Sequence, residues 1–508
     1  MRFRLIVLLL AISSLTLAQT PQVPFPVKRT ESAETWRSGG WAAVDAAKRV
    51  KTRKRAKNVI IFVGDGMGIS TLTAARIFEA QQRGESGEEN HLSFEMFPYS
   101  ALSKTYSANQ QTSDSAPTMS AIITGVKTDE GVISVNQNVI HADWKTVAGN
   151  ETKSLLAYAE DAGLSTGIVS TARLTHATPA ACYAHSADRD WESDADLFRL
   201  NKAAYDAKFP DIASQLLSFK YGDGLEVAIG GGRSYFQPQD TQDPEYADRK
   251  GRRLDGRDLT AEWLKLRGGS QYVWNKQQFD AVDARKTKHL LGLFEPSMMQ
   301  FEADRAKDPA GEPSLSEMTA KSIDILANNK KGYVLMVEAG RIDHAHHDGN
   351  AYRALTDTVA LSNAVRTAVS KVNLDETLIV VTADHSHTLF IQGYPARGNN
   401  ILGLTREIGG DGNIEPNYKL DKDKKPYTTL GYANGPGAVK GDRPVLTQDD
   451  VLKPDYKQQT LIPFDSETHG GEDVAIFAIG PNAQLFRGSM EQNWIFYVMA
   501  DALRLARK

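Results

Sequence analysis

Five runs of strand length with mostly apolar residues recur along the chain, and polar residues follow each of them. The first, at 58–63, is apolar throughout after its opening asparagine, which is typical of a strand buried on both faces of a parallel sheet. The others lie at 166–171, 333–337, 377–382 and 474–480. Helical periodicity separates them, for example at 69–82, 316–326 and 351–372. This alternation predicts an α/β fold with one doubly wound, mostly parallel central sheet and helices on both faces.

Two stretches interrupt the alternation and shape the predicted domain organisation. Residues 205–315 carry many polar and turn residues, and residues 390–463 are rich in Gly, Pro, Lys and Asp with little periodicity. We expect a single domain over 58–508, in which 390–463 forms an inserted lobe. Ahead of it, 19–57 is predicted to form an N-terminal extension, which begins Pro-rich and ends in an amphipathic helix with a basic cluster.

The first 18 residues have the features of a secretory signal. Arg2 and Arg4 precede an apolar run, and 16–18 forms a small-residue cleavage site. Removing 1–18 takes away two arginines and no acids, so the net charge moves from −4 to −6. A mildly acidic chain gives no reason to expect nucleic acid as a dedicated partner. We expect the mature protein to be periplasmic or secreted, without a membrane anchor.

The stretch 112–121 puts a serine at the start of a predicted helix. Pro117 suits the first turn of a helix, because its φ angle is fixed and it has no N–H to donate. The helix then runs through 119–123 and ends at Gly125. Ser115 therefore lies near the N-cap, where free N–H groups and the helix dipole attract an anion such as phosphate. Its hydroxyl is either an ordinary helix cap or a nucleophile, and this stretch alone does not decide between the two.

Carboxylates and imidazoles follow several of the predicted strands. Asp65 comes directly after the first strand, in a turn whose G-x-G-x-G spacing differs from that of a dinucleotide-binding loop. Ligands of open α/β sheets bind at the carboxyl ends of the strands. Further candidates near such ends are His176, Glu338, Asp343, His347, Asp384, His385, His387 and His469. A lone acid or histidine there is usually a cap, but so many at the strand ends of one sheet predict a site for several divalent metal ions.

The same stretches resemble the alkaline phosphatase family over nearly the whole mature chain. The motifs that carry the resemblance lie at 63–68, 114–116, 124–127, 176–180, 337–344, 382–385 and 467–469. Segments 253–256 and 292–296 make the chain more similar to the animal-type branch than to the enteric bacterial type. The resemblance implies hydrolysis of small phosphate monoesters to alcohol and inorganic phosphate at alkaline pH, through a phosphoserine intermediate. It also implies a homodimer, with the crown-like lobe at 390–463 as the candidate interface.

Carried over residue by residue, the resemblance implies two zinc ions and one magnesium ion beside Ser115. The first zinc would be held by Asp343, His347 and His469, and the second by Asp65, Asp384 and His385. Magnesium would take Asp65, Thr178 and Glu338. The chemistry fits, because one zinc can activate the serine and later a water while the other stabilises the leaving oxygen. Arg189 would hold two phosphate oxygens with its planar guanidinium, which a lysine cannot reproduce.

The resemblance also implies roles for groups around these ligands. His176 stands where the enteric type has an aspartate, so we expect His176 and His387 to support the metal ligands rather than to bind metal themselves. The exchange at His176 predicts weaker magnesium binding. Oxygen ligands from loops suit calcium. The resemblance implies such a calcium site within 205–315, formed by Glu245, Glu295, Glu312 and the carbonyl of Phe294.

The chain departs from the family pattern in two respects. Residues 117–119 replace the small-residue run that usually follows the nucleophile, and we expect tuning rather than loss of activity, because proline is tolerated at the start of a helix. The disulfides of the animal branch are absent, since Cys182 is the only cysteine. We expect Cys182 to pack as a small buried residue rather than to react.

Three other interpretations stay open. A sulfatase of the same superfamily would need the motif C/S-x-P-x-R, and 115–118 matches its start, but Met119 replaces the arginine. A phosphodiesterase is disfavoured by Arg189, which would grip a terminal phosphoryl group. A non-catalytic protein could keep the ligands as a structural cage, although structural zinc sites are usually closed by four protein ligands.

Overall fold

A ten-stranded sheet forms the centre of the fold in the computed structural model, which describes residues 55–266 and 268–505. The strands of the described residues are β1 (Asn58–Gly64), β2 (Tyr99–Lys104), β3 (Ser165–Arg173), β4 (Val227–Gly231), β5 (Ser270–Val273), β6 (His289–Leu293), β7 (Tyr333–Ala339), β8 (Thr377–Ala383), β9 (Ser386–His387), β10 (Leu389–Ile391), β11 (Leu430–Gly435), β12 (Thr460–Pro463), β13 (His469–Gly470), β14 (Val474–Ile479) and β15 (Ser489–Glu491). The predicted signal peptide at 1–18 and most of the predicted extension at 19–57 lie outside the described residues.

Helices connect these strands in the way that the sequence predicts. In chain order they are α1 (Ile69–Gln81), α2 (Ser115–Thr124), α3 (Leu155–Asp161), α4 (Ala177–Ala180), α5 (Asp194–Leu200), α6 (Lys202–Asp206), α7 (Ile212–Leu217), α8 (Arg233–Phe236), α9 (Leu259–Leu266), α10 (Lys276–Ala281), α11 (Leu315–Leu326), α12 (Arg341–His347), α13 (Ala351–Lys371), α14 (Gln448–Val451) and α15 (Trp494–Leu503). Short 3-10 turns lie at Trp144–Thr146, Arg305–Lys307 and Ala483–Leu485.

The sheet is mostly parallel, as predicted. Its strand order is β15-β2-β14-β8-β1-β7-β3-β4-β6-β5, and β14 alone among these described strands runs antiparallel to its neighbours. The three central strands are in close register, with Phe62 of β1 opposite Val337 of β7 and Val381 of β8. The carboxyl ends of β8, β1 and β7 therefore meet at one edge of the sheet, where the candidate residues follow them.

Helices cover both faces of the sheet and bury its side chains. Val59, Ile61 and Val63 of β1 point into one core with residues of α2, α3 and α15. Ile60 and Phe62 point into the opposite core with residues of α1, α11 and α13. All five side chains are fully buried, which explains why this strand is continuously apolar in sequence rather than alternating. The doubly wound architecture is confirmed.

The two interrupting stretches differ from one another. Residues 205–315 contribute β4, β5 and β6 to the central sheet, although these strands have only four or five residues each, too short for a clear periodic signal. Residues 390–463 lie largely outside the central sheet, and their strands form a separate three-stranded sheet in the order β10-β11-β12. Across the described parts of the chain, no helix has both the length and the apolar character of a membrane span.

Candidate active site

Ser115 opens helix α2 at the edge of the sheet where the candidate residues gather. Its neighbour Asp114 is the N-cap, and the Asp114 side chain accepts a hydrogen bond of 2.7 Å from the Ala116 N–H. At the other end of the helix, Gly125 adopts a left-handed conformation with φ 79°. Capping therefore belongs to Asp114, and the buried Ser115 hydroxyl lies 3.1 Å from Nε2 of His385. This position leaves the hydroxyl available for chemistry.

A first group of metal-type ligands lies around Asp343 on α12. Its Oδ1 is 3.3 Å from Nε2 of His347, 3.4 Å from Nε2 of His469 and 2.9 Å from Nε2 of His387. Single donor atoms of these four residues all lie within 4.8 Å of one another. Asp343 and His347 both belong to α12, and they lie on the same face of this helix because they are four residues apart. The structure thus brings the three ligands predicted for the first zinc together, with His387 beside them.

Glu467 fixes the orientation of His387, and sequence analysis did not assign it a role. One Glu467 oxygen lies 2.6 Å from Nδ1 of His387, and the other accepts hydrogen bonds from the Thr388 N–H and hydroxyl. Burial lowers the pKa of His387, but the Glu467 and Asp343 carboxylates more than offset this effect and raise it to about 10. The His387 ring is therefore held between the carboxylates of Glu467 and Asp343. The signal for Glu467 was its place two residues before His469.

A second group lies between β1 and β8, next to Ser115. Nε2 of His385 is 3.4 Å from Oδ1 of Asp65 and 3.3 Å from Oδ2 of Asp384. The Gly66 N–H donates to Asp384 at 3.0 Å, which ties the turn after β1 to the end of β8. Burial and repulsion from neighbouring carboxylates, Asp384 first among them, raise the pKa of Asp65 well above its usual range. These residues are the set predicted for the second zinc, and the structure brings them together.

A third group shares Asp65 with the second. Donor atoms of Asp65, His176 and Glu338 lie within 4.8 Å of one another, and Ser170 donates a short hydrogen bond to Glu338. Burial, offset in part by the Ser170 hydrogen bond, raises the pKa of Glu338 to about 7. The sequence predicted Asp65, Thr178 and Glu338 as ligands and His176 as a supporting residue. In the structure a ring nitrogen of His176 lies within 4.8 Å of a carboxylate oxygen of both Asp65 and Glu338, a spacing at which all three could hold one metal ion.

Arg189 connects this third group to the helix that carries Ser115. Its Nη1 donates to Oδ1 of Asp114 at 3.3 Å, and its Nη2 lies 3.2 Å from Nε2 of His176. The backbone N–H of Arg189 donates to the carbonyl of Gly131 at 2.7 Å. Burial and Arg189 lower the pKa of His176 well below its usual range, so this imidazole is neutral. The Arg189 guanidinium lies beside the start of α2, where an anion would bind.

The buried polar atoms at these groups fit divalent cations. Both carboxylate oxygens of Asp65, Oε1 of Glu338 and Oγ1 of Thr178 are buried without a hydrogen-bond partner among the described residues. Burying a polar atom raises the free energy of the folded state unless a hydrogen bond or a bound cation compensates for the lost water. Mixed imidazole and carboxylate donors suit zinc, as around Asp343 and His385. Oxygen donors such as Thr178 and Glu338 suit magnesium.

A separate group of acids, which we call the loop acid cluster, lies away from Ser115. It comprises Glu245, Glu295, Asp308 and Glu312, and donor atoms of the first three lie within 4.8 Å of one another. Sequence analysis missed Asp308, which lies in a stretch without periodicity. Glu312 is buried beside them, where burial and the charge of Glu295 raise its pKa to about 9. The Phe294 carbonyl, also predicted here, accepts a hydrogen bond of 2.7 Å from Arg233.

Comparison with known proteins identifies similar sequences over nearly the whole described chain. The family model for alkaline phosphatase matches residues 56–505. The alkaline phosphatase of Gadus morhua is 43% identical over 487 residues, which cover 94% of this chain and 98% of that protein. The tissue-nonspecific isozyme of alkaline phosphatase from Homo sapiens is 45% identical over 455 residues, which cover 88% of this chain and 83% of that protein.

Solved structures with a similar fold include two bacterial enzymes. Alkaline phosphatase from the Antarctic bacterium TAB5 is 21% identical, with 89% of this chain and 99% of that chain covered and a TM-score of 0.59. Alkaline phosphatase from Thermus thermophilus is 24% identical, with 90% of this chain and 93% of that chain covered and a TM-score of 0.62. At these identities the likeness concerns the fold, and it agrees with the doubly wound sheet.

Proposed function

This chain belongs to the alkaline phosphatase family and hydrolyses phosphate monoesters, and from that premise we propose that the reaction passes through a phosphoseryl intermediate on Ser115. The observation that carries the proposal is the position of the Ser115 hydroxyl. It is buried at the start of α2, 3.1 Å from His385, at the sheet edge where three groups of metal-type ligands converge. A serine that only capped the helix would not need these neighbours.

The ligand groups would hold three cations. Asp343, His347 and His469 would hold one zinc, Asp65, Asp384 and His385 the other, and Asp65, Thr178 and Glu338 magnesium. When bound, the cations supply positive charge that lowers the pKa of the serine hydroxyl and of water and stabilises the leaving oxygen. The partnerless oxygens of Asp65 and Glu338 support this assignment, because a cation would satisfy them.

The residues of the chain then divide the reaction between binding and bond exchange. Arg189 holds two non-bridging oxygens of the phosphoryl group with its paired N–H donors, and the positive end of the α2 dipole supports the same negative charge. Ser115 Oγ gives up its proton to solvent and forms a bond to phosphorus while the bond to the leaving oxygen breaks, and that oxygen takes up a proton from solvent to become the alcohol. Water then attacks the phosphoserine, Ser115 regains its hydroxyl, and inorganic phosphate leaves.

A comparison of three substrates tests the reaction class. We expect purified protein of known zinc and magnesium content to turn over an aryl phosphate monoester at least about 100 times faster than a bis-aryl phosphate or an aryl sulfate, because Arg189 is placed for a terminal phosphoryl group. Faster turnover of the diester or the sulfate would replace the proposal with a phosphodiesterase or a sulfatase. Absence of turnover in protein with full metal content would favour a structural metal cage.

His176 defines a second proposal about the magnesium site. A neutral imidazole contributes less negative charge than a carboxylate, so we expect weaker magnesium binding than in a His176→Asp variant. The structural neighbour from TAB5 has a histidine-to-aspartate variant with magnesium bound in the site named M3 in that enzyme. A magnesium titration of both forms, followed by bound metal, tests the proposal. Equal, tight binding by the two forms would refute it.

We propose that the loop acid cluster binds calcium through Glu245, Glu295 and Asp308, with Glu312 beside them. Donor oxygens of the first three lie within 4.8 Å of one another, and Oδ1 of Asp308 and Oε2 of Glu312 are buried without a hydrogen-bond partner among the described residues.

We propose a periplasmic or secreted homodimer. Three large apolar side chains in or beside 390–463 support the lobe as its interface: Tyr394 and Leu461 are each 85% exposed and Phe464 is 51% exposed.

A further inference from the structure

Arg173 and Glu192 form a buried ion pair behind the candidate active site. Arg173 ends β3, and its Nε and Nη2 donate to the two oxygens of Glu192 at 2.7 and 2.6 Å. The Thr175 hydroxyl donates to the same carboxylate at 2.5 Å. Glu192 is 7% exposed and the Arg173 side chain is 16% exposed, so the pair is largely shielded from water, where paired charge-assisted hydrogen bonds are strong and geometrically specific.

This ion pair lies beside the contact between Arg189 and His176. Arg189 lies three residues before Glu192, and His176 lies three residues after Arg173. The Arg189 guanidinium lies 3.2 Å from His176, and the Arg173 guanidinium binds Glu192. The segments 173–176 and 189–192 are therefore joined by two cross-links, one at each end. The spacing of the Arg189 segment from β3 depends on both.

Arg173 is itself fixed from several sides and can act as an anchor. Its Nη1 donates to the Ser297 hydroxyl at 3.2 Å, and its guanidinium lies 5.2 Å from the ring centre of Tyr235. Its backbone carbonyl accepts a hydrogen bond of 3.0 Å from the His176 N–H. The Arg189 side chain, in contrast, has hydrogen bonds only to Asp114 and His176 among the described residues. Backbone hydrogen bonds hold the Arg189 segment as well, from the Arg189 N–H to the Gly131 carbonyl at 2.7 Å and from the Ala213 N–H to the Glu192 carbonyl at 3.0 Å. The Glu192 side chain is the link that ties this segment to Arg173 at the end of β3.

We propose that Glu192 is a positioning residue that, held by Arg173, sets the place of the Arg189 guanidinium and thereby the affinity for the phosphoryl group. The inference rests on the proposed role of Arg189 in binding phosphate. Glu192 touches no reacting atom, so it acts through the loop that carries Arg189. A shift of about 1 Å in such a loop is enough to weaken a bidentate contact strongly.

Inhibition by inorganic phosphate tests this proposal in the metal-loaded enzyme. We expect Glu192→Gln to raise the phosphate inhibition constant about 5- to 20-fold, because the amide cannot accept both Arg173 donors as a carboxylate does. Arg173→Lys keeps the charge but loses the paired donors, and we expect a similar rise. The matched control is Glu262→Gln, which breaks an equally paired but exposed contact with Arg257 at 2.9 and 2.6 Å. Its inhibition constant should stay within twofold of the parent.

A double-mutant cycle separates positioning from a general loss of structure. In an Arg189→Ala background, Glu192→Gln should change the phosphate inhibition constant by less than twofold, since the group that it positions is gone. An unchanged inhibition constant in Glu192→Gln and Arg173→Lys, or an equal rise in the Arg189→Ala background, would overturn the proposal. If Arg189→Ala alone left phosphate affinity unchanged, the proposed function of Arg189 would fail instead, and the two failures are distinguishable.

Discussion

Two groups of metal-type ligands in this molecule differ in what surrounds and supports them. The ligands around Asp343 and His385 mix imidazoles with carboxylates, and all but His469 follow the almost fully buried strands β1, β7 and β8. The loop acid cluster offers only oxygen atoms, and Glu245 and Asp308 lie outside regular helices and strands. Rigid strands fix nitrogen donors precisely, which zinc chemistry requires, whereas loops can adapt to the larger and more flexible shell of calcium. From this contrast we predict that the first region serves catalysis and the second serves stability.

Removing a ligand from each region gives the largest expected difference between them. His469→Ala should lower the rate of phosphate monoester hydrolysis at least about 100-fold and remove close to one zinc per chain, because it takes away one of three donors. Glu295→Gln in the loop acid cluster should lower the rate by less than about fivefold. Steady-state kinetics and elemental analysis of both variants measure this. Equal losses of rate would mean that the two regions are not functionally distinct.

Added calcium tests the loop acid cluster directly, through its effect on thermal stability. In protein treated with a chelator and reloaded with zinc and magnesium, calcium at about 100 times its Kd should add about 2.7 kcal/mol of stability, seen as a higher Tm. Asp308→Asn should abolish the shift, because it removes a donor whose Oδ1 is buried without a hydrogen-bond partner in the described residues. The rate at saturating zinc should not change. A calcium-dependent rate with no change in Tm would contradict the assignment.

The same contrast explains how much the sequence could predict. The rule that ligands bind at strand ends places Asp65, Glu338 and Asp384 at one edge from the sequence alone, because buried parallel strands have an unmistakable apolar pattern. Asp308 and the short strands β4, β5 and β6 were not predicted, since short elements and loops carry no periodicity and their meeting depends on tertiary packing.

Side-chain roles are harder to predict than positions. The sequence leaves open whether Ser115 caps its helix, and the structure answers the question because the cap is Asp114. The support of His387 by Glu467, and of the Arg189 segment by Glu192, joins residues that are far apart in sequence or have no motif of their own. Such contacts depend on rotamers and distances, which sequence patterns do not contain.

Glu160 and Glu226 form a further pair of buried acids, away from the active-site ligands and the loop acid cluster. A substitution in this pair has the smallest expected effect and serves as a control for the other two regions. Glu160 accepts a hydrogen bond of 2.6 Å from the Thr166 hydroxyl, and Glu226 accepts one of 2.6 Å from the Thr166 N–H. Burial, reinforced by the charge of Glu226, raises the pKa of Glu160 to about 9 from an ordinary value of 4.5. Burial also raises the pKa of Glu226 to about 7. Between about pH 5 and pH 9 the folded protein therefore holds a proton that the unfolded chain releases.

The raised pKa values of Glu160 and Glu226 make the free energy of unfolding depend on pH. The unfolded chain releases its proton at a lower pH than the folded protein does, so stability is present at pH 5 and is lost as the pH rises towards 9. Glu160→Gln cannot ionise, so we expect its Tm relative to the parent to rise by a few degrees between pH 5 and pH 9, on the order of 1–2 kcal/mol. Thermal unfolding at several pH values measures it. A constant difference in Tm, or a calcium effect that depends on Glu160, would contradict the interpretation.

The most direct test of the account is to trap the covalent intermediate. Enzyme mixed with a phosphate monoester labelled in its phosphoryl group and quenched in acid should carry the label on Ser115, because Ser115 Oγ is the group that bonds to phosphorus. Ser115→Ala should carry no label and should lose at least about 1000-fold in rate while keeping its metal content. Label on another residue, or undiminished phosphate release by Ser115→Ala, would contradict the central claim.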